Sequence, residues 1–180
     1  MTDDDPFARR ERVVSRGLWY EEFRTDVVYA HSPGRTVTEA DNVLFTTLTM
    51  NPQALHLDAA WSAGTEFGER LVNSMLTLST VVGLSVAQLT QGTLVANLGL
   101  TDIAFPQPVR IGDTLLAETA VTGKRPSRSR PGEGIVSLLH RGVNQHGDVV
   151  VTAARTTLVR MRPAAEPGGD GRGADEQETR

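Results

Sequence analysis

Residues 71–101 read LVNSMLTLSTVVGLSVAQLTQGTLVANLGLT, an unbroken stretch between Arg70 and Asp102 without Asp, Glu, Lys or Arg. A membrane-spanning helix needs about 20 predominantly apolar residues. This stretch interrupts itself with Asn73, Ser74, Thr77, Ser79, Thr80, Ser85, Gln88 and Gln91, and with Gly83 and Gly92. It is too polar for lipid and too apolar to face water on every side. The pattern predicts a long buried helix over about 70–90, stopped by Gly92, and then a buried strand.

Downstream, the period changes from that of a helix to that of strands. TLVANLGLTDIAF is the first. DTLLAETAVTGK alternates, with Leu115, Ala117 and Thr119 on one face. GIVSLLHRGVNQ and VVVTAARTTLVRM follow, joined at HGD by a short hairpin. Upstream, VVYAHSP reads as a short strand and TVTEADNVLFTTLTM as a helix. Thr38 can cap that helix and Asp41 suits its first turn. Val43, Leu44 and Leu48, with Phe45 and Thr47 beside them, are expected to line its inner side. Pro52 ends it, because proline has no amide proton and restricts the residue before it. Asp58 is placed to start another helical turn at LDAAWSA. Early helices, one long buried helix and a run of antiparallel strands imply an α+β fold with the sheet wrapped on the helix.

The chain has 180 residues, 39% of them hydrophobic, which suits one domain with a real core. Residues 1–17 are charged and patternless, and read as a flexible segment. Residues 163–180, rich in Gly, Pro and charge, have too little apolar surface to pack and read as a disordered tail. The folded domain is expected at 18–162. A net charge of −4 and a pI near 5.6 point away from nucleic acid and from an anionic membrane surface. No cysteine is present, which removes disulfides, thiol nucleophiles and thiolate metal sites. A cytoplasmic protein is expected, since the N-terminus lacks the apolar core of a secretory signal. The four histidines show no metal-ligand spacing, and no metal or cofactor is implied.

The chemistry concentrates in TLTMNPQALHLD, residues 47–58. His56 lies between leucines, where an imidazole is either a packed core side chain or a base. Imidazole ordinarily titrates near 6.5, which suits proton transfer near neutrality. Asn51 either turns the chain before Pro52 or orients a water. His31, His140 and His146 read as structural, the last at a hairpin tip.

Three stretches together resemble the MaoC-type (R)-specific enoyl-CoA hydratases and dehydratases of the hot-dog fold: TVTEADNVLFTTLTMNPQALHLDAAW, LVNSMLTLSTVVGL and AFPQPVRIGDTL. The first resembles the hydratase motif; the other two mostly report the fold. An ungapped count from Phe45 sets His56 on the family's catalytic His, Asn51 on its Asp and Met50 on its Gly. The resemblance implies that His56 and residue 51 hold a water that adds to the β-carbon of a CoA thioester. It sets Ser74 at the central-helix amide that receives the developing oxyanion, with Asn73 beside it as a substrate-binding residue. An Asn can orient water but cannot accept its proton. The base role then falls to His56, or a carboxylate of the substrate or of Asp41 or Asp58 completes the site.

GKRPSRSRPGEG, residues 123–134, gathers Lys124, Arg125, Arg128 and Arg130 in an otherwise acidic chain. It is either a solvated hairpin or an anion site in which Arg128 and Arg130 meet CoA phosphates or a substrate carboxylate. The motif and this loop look closest to the itaconyl-CoA/mesaconyl-CoA hydratase branch. The resulting expectation is a lyase hydrating a short, branched or dicarboxylic enoyl-CoA. It would act as a homodimer or dimer of dimers, since an open sheet leaves edges to pair. Two alternatives stand beside it: a hot-dog thioesterase, and a non-catalytic acyl-CoA-binding subunit, the latter suggested by Asn51.

Overall fold

The structure, a computed structural model, describes residues 10–164, so expectations for residues 1–9 and 165–180 lie outside the described residues. The uncharged stretch divides where its capping chemistry dictates. Asn73 accepts the Met75 amide on its side-chain oxygen at 2.9 Å, so the helix begins at Ser74 rather than at 70. Before it, Leu71 bridges Arg110, and the Val72 amide donates to the Val109 carbonyl at 2.9 Å.

Before the central helix come β1 (Val28–Thr36), α1 (Glu39–Leu48), α2 (Ala54–Leu57) and α3 (Ala59–Ala63). The helix itself is α4 (Ser74–Leu89). Four strands follow: β2 (Leu94–Ala104), β3 (Thr114–Pro126), β4 (Glu133–Val143) and β5 (Val149–Arg160). The sheet order is β1-β3-β4-β5-β2 and every neighbouring pair is antiparallel. This is the hot-dog arrangement that the resemblance implies.

One face of α4 presents Thr77, Leu78, Val81, Ser85 and Leu89 to the sheet. They meet Leu115, Ala117, Val121, Val136, Leu138, Val151 and Ala153 in the core. Each fully buried aliphatic side chain contributes about 1.5–3 kcal/mol by leaving water, so packing rather than propensity holds this helix. The approach is close: a Cβ at Gly142 would lie 2.5 Å from Val81 Cγ2. The expectation of a buried helix needs one correction, because Met75, Ser79, Gly83 and Ala87 form an exposed face in the single chain.

A second correction concerns α1. Thr38 and Asp41 form the expected capping box. The inner face, however, carries Asn42 and Thr46, while Leu44 and Leu48 are 61% and 73% exposed. Asn42 and Thr46 turn inward because both make hydrogen bonds that join α1 to the segments beneath it. Among the described residues, no helix is long and apolar enough to cross a membrane.

Candidate active site

α1 ends at Leu48, and the chain reverses through Met50, whose φ is +55°. That left-handed value costs a side-chain residue about 1–2 kcal/mol and glycine almost nothing. The geometry therefore explains why the related motif has Gly where this chain has Met. The Asn51 side-chain oxygen accepts the Gln53 amide at 3.0 Å, which carries the backbone over Pro52 into α2.

His56 lies on the single turn of α2. Its Nδ1 lies 3.0 Å from the Leu71 carbonyl oxygen. A carbonyl only accepts, so Nδ1 carries the proton and Nε2 keeps its lone pair. Nε2 has no protein partner among the described residues. His56 lines a cavity of about 240 Å³ shared with Leu55, Phe67, Val72, Ser74, Phe105 and Gln107. Ser74 is the first residue of α4, and its backbone amide has no partner among the described residues. An unpaired amide at the start of a sixteen-residue helix sits where the helix dipole favours negative charge. His56, with an unclaimed ring nitrogen, and Ser74, with an unclaimed backbone amide, thus line one largely apolar space.

A larger cavity, about 360 Å³, lies beside His31 and Gln88. It lacks comparable chemistry. His31 Nδ1 is 2.7 Å from Gln88 Oε1 and its Nε2 is 2.8 Å from Thr119 Oγ1, so both nitrogens are engaged. Burial also pushes the His31 pKa down.

The remaining expected site residues fall elsewhere. Asn51 does not line the His56 cavity, because its oxygen is held by the turn at Pro52. Asn73 is 3% exposed, and its carboxamide bonds the Met75 amide and Thr46 Oγ1, which sets the helix start. The Asp41 carboxylate closes the capping box of α1 by accepting the Thr38 amide, and Asp58 caps α3. Lys124 is taken up by the carbonyls of Tyr20, Glu21 and Phe23. Arg130 pairs with Glu133 at 2.7 Å. The loop carrying Arg128 and Arg130 joins β3 to β4, beside the Arg160 end of β5, whereas Val150 at the other end of β5 lines the His56 cavity. At about 3.3 Å per residue the two ends are roughly 30 Å apart, too far for these arginines to reach the cavity of their own chain. Arg110 follows the lining residue Val109, donates to the carbonyl of the lining residue Phe67 and pairs with Glu69. Its sequence signal is the Pro106-Gln107-Pro108 segment, which delivers Gln107 and Arg110 beside the helix start.

A sheet curled on one helix, with a free imidazole nitrogen and a free helix-terminal amide on one cavity, defines a hot-dog domain with an acid–base pocket. The family model described as MaoC like domain matches residues 22–144, and the chain belongs to that family. The mesaconyl-CoA hydratase of Cereibacter sphaeroides is 30% identical over 86% of this chain and 44% of its own length, so this chain spans about half of that relative. The MaoC-like dehydratase structure from Rhodospirillum rubrum superposes with a TM-score of 0.72 at 28% identity, covering 82% of this chain and 100% of that one. A Mycobacterium tuberculosis protein described as having a double hotdog fold matches with a TM-score of 0.73 at 22% identity, over 89% of this chain and 53% of its own, which bears on the fold alone.

Proposed function

We propose that the chain is a hydro-lyase that adds water reversibly across the double bond of a short, branched or dicarboxylic enoyl-CoA. The observation that carries this reading is that His56, whose Nε2 is unclaimed, and Ser74, whose amide is unclaimed, line the same cavity. His56 Nε2 takes a proton from water as the water oxygen bonds to the β-carbon. The electron pair of the double bond moves toward the thioester oxygen, which the Ser74 N–H stabilises. The imidazolium then returns its proton to the α-carbon, so the net change is one water added and His56 is neutral again. Family membership and a relative named mesaconyl-CoA hydratase support the substrate class. A cavity of about 240 Å³ is smaller than a typical drug-sized site and suits a short acyl group. Gln107 and Arg110 are the groups placed to meet a second carboxylate.

The assembly follows from the free edge. β2 is an eleven-residue edge strand that exposes Leu98, Leu100 and Ile103. A two-fold copy pairing β2 with β2 closes that edge. Antiparallel pairing swaps ends, so Arg128 and Arg130 of one copy come round to the cavity end of the other and can serve CoA phosphates in trans. A thioesterase is disfavoured because α4 presents Ser74 and Thr77 to the cavity and contains no carboxylate.

The test is a panel of crotonyl-, mesaconyl- and itaconyl-CoA followed by absorbance of the conjugated double bond and by free thiol. Loss of absorbance without thiol release is expected, with His56→Ala slower by at least about a hundredfold. Thiol release, or no change on any of these substrates, contradicts the reading.

A further inference from the structure

The acid–base pair of the site comes from two segments distant in sequence, α2 and the start of α4, and one buried side chain touches both. Asn42 on α1 is 0% exposed. Its Nδ2 donates to the His56 carbonyl at 3.2 Å and to the Leu71 carbonyl at 3.3 Å. Its Oδ1 accepts the Asn73 amide at 2.8 Å. Leu71 O is the same oxygen that receives His56 Nδ1–H, and Asn73 caps α4 immediately before the Ser74 amide.

We infer that Asn42 is a positioning residue, which holds the His56 imidazole and the Ser74 amide in register through the Leu71–Asn73 segment. This rests on the hydratase reading for its consequence in turnover, but not for its structural content. The chemistry needs a carboxamide. Two carbonyls require two donors and one amide requires one acceptor, and only Asn and Gln side chains supply both. Gln carries an extra methylene into a fully buried site. An Asp of the same shape keeps the bond to Asn73 N–H but aims oxygens at two carbonyls. Asn42 therefore settles two things at once. It fixes where Leu71 O lies, and so which His56 nitrogen bears the proton. It also fixes where the helix terminus lies relative to that imidazole. A small misplacement of reacting groups costs up to about a hundredfold in rate.

The decisive experiment is Asn42→Asp, read by ¹⁵N NMR of His56 without substrate and by hydration kinetics. Wild-type His56 is expected as the Nδ1–H tautomer. Asn42→Asp is expected to mix the tautomers and to lower kcat about ten- to a hundredfold, with KM changed less than about threefold. Asn42→Ser, uncharged and too short to span the three groups, is the second variant if the first does not fold, with the same outcome expected. A folded variant that keeps the Nδ1–H tautomer overturns the inference. So does a kcat that falls only in proportion to the unfolded fraction. If no enoyl-CoA is hydrated even by the wild type, the tautomer alone decides the positioning role, and the functional reading fails separately.

Discussion

Two histidine-bearing regions of this molecule differ in what surrounds the second ring nitrogen. At the start of α4, His56 gives one nitrogen to Leu71 O and leaves the other on a cavity. Across the inner face of the sheet, polar side chains line up in strand order: His31 on β1, Thr119 on β3, His140 on β4, Arg155 on β5 and Asn97 on β2. Gln88 Oε1 can only accept, so His31 Nδ1–H donates to it and His31 Nε2 accepts the Thr119 hydroxyl proton. Thr119 Oγ1 then accepts from His140 Nδ1–H at 2.8 Å. The protons between His31, Thr119 and His140 thus each have an assigned place. His140 Nε2 lacks a partner among the described residues, but it is buried. Burial, with the Arg155 charge and His31 nearby, pushes the His140 pKa down to about 4. The contrast separates a base from a structural imidazole. A working base needs an unclaimed nitrogen and a route to it, whereas a committed, sealed imidazole resists protonation.

The largest effect expected from this difference is on stability. His140 is neutral in the folded protein down to about pH 4, while an unfolded histidine takes a proton below about 6.5. The unfolded state therefore binds more protons in that window, and stability falls as pH drops from about 6.5 to 4. The contribution of His140 is about 3 kcal/mol, fully present at neutrality and gone below the folded pKa. Urea unfolding between pH 7 and 4 should show it, with a shallower slope in His140→Gln. Parallel slopes would place the acid sensitivity elsewhere. The smallest effect expected is at Asn51, which serves a turn rather than the cavity. Asn51→Ala should change kcat by less than about threefold, since a single turn hydrogen bond of about 1 kcal/mol is lost. A much larger loss, rescued by Asn51→Asp, would show that residue 51 reaches the water after all.

Much of this was readable from local pattern. The uncharged stretch named α4, the alternation of Leu115, Ala117 and Thr119 named the inner face of β3, and the expected caps at Thr38 and Asp58 sit at helix starts. His56 stood out through its motif. What failed was long-range. The inner face of α1 is polar because Asn42 answers backbone groups, and Thr46 the Asn73 carboxamide, about thirty residues away, which hydrophobic periodicity cannot reveal. Arg155 carries no local signal within its strand, yet it is 3% exposed and its guanidinium binds Asn97 on the neighbouring strand. For the arginine loop, charge density could not tell which end of the sheet it occupies, and within its own chain it lies at the end of β5 away from the His56 cavity.

Reaction with diethyl pyrocarbonate, followed by peptide mapping and residual hydration activity, tests the central claim most directly, because the reagent acylates accessible, unprotonated imidazole nitrogens. His146, exposed on the β4–β5 hairpin, serves as the internal control. Modification of His56 is expected to track the loss of activity and to slow when crotonyl-CoA is present. His146 should react without consequence, and His31 and His140 should remain unmodified in the folded protein. Full modification of His56 with activity retained, or loss of activity while His56 is untouched, would contradict the account.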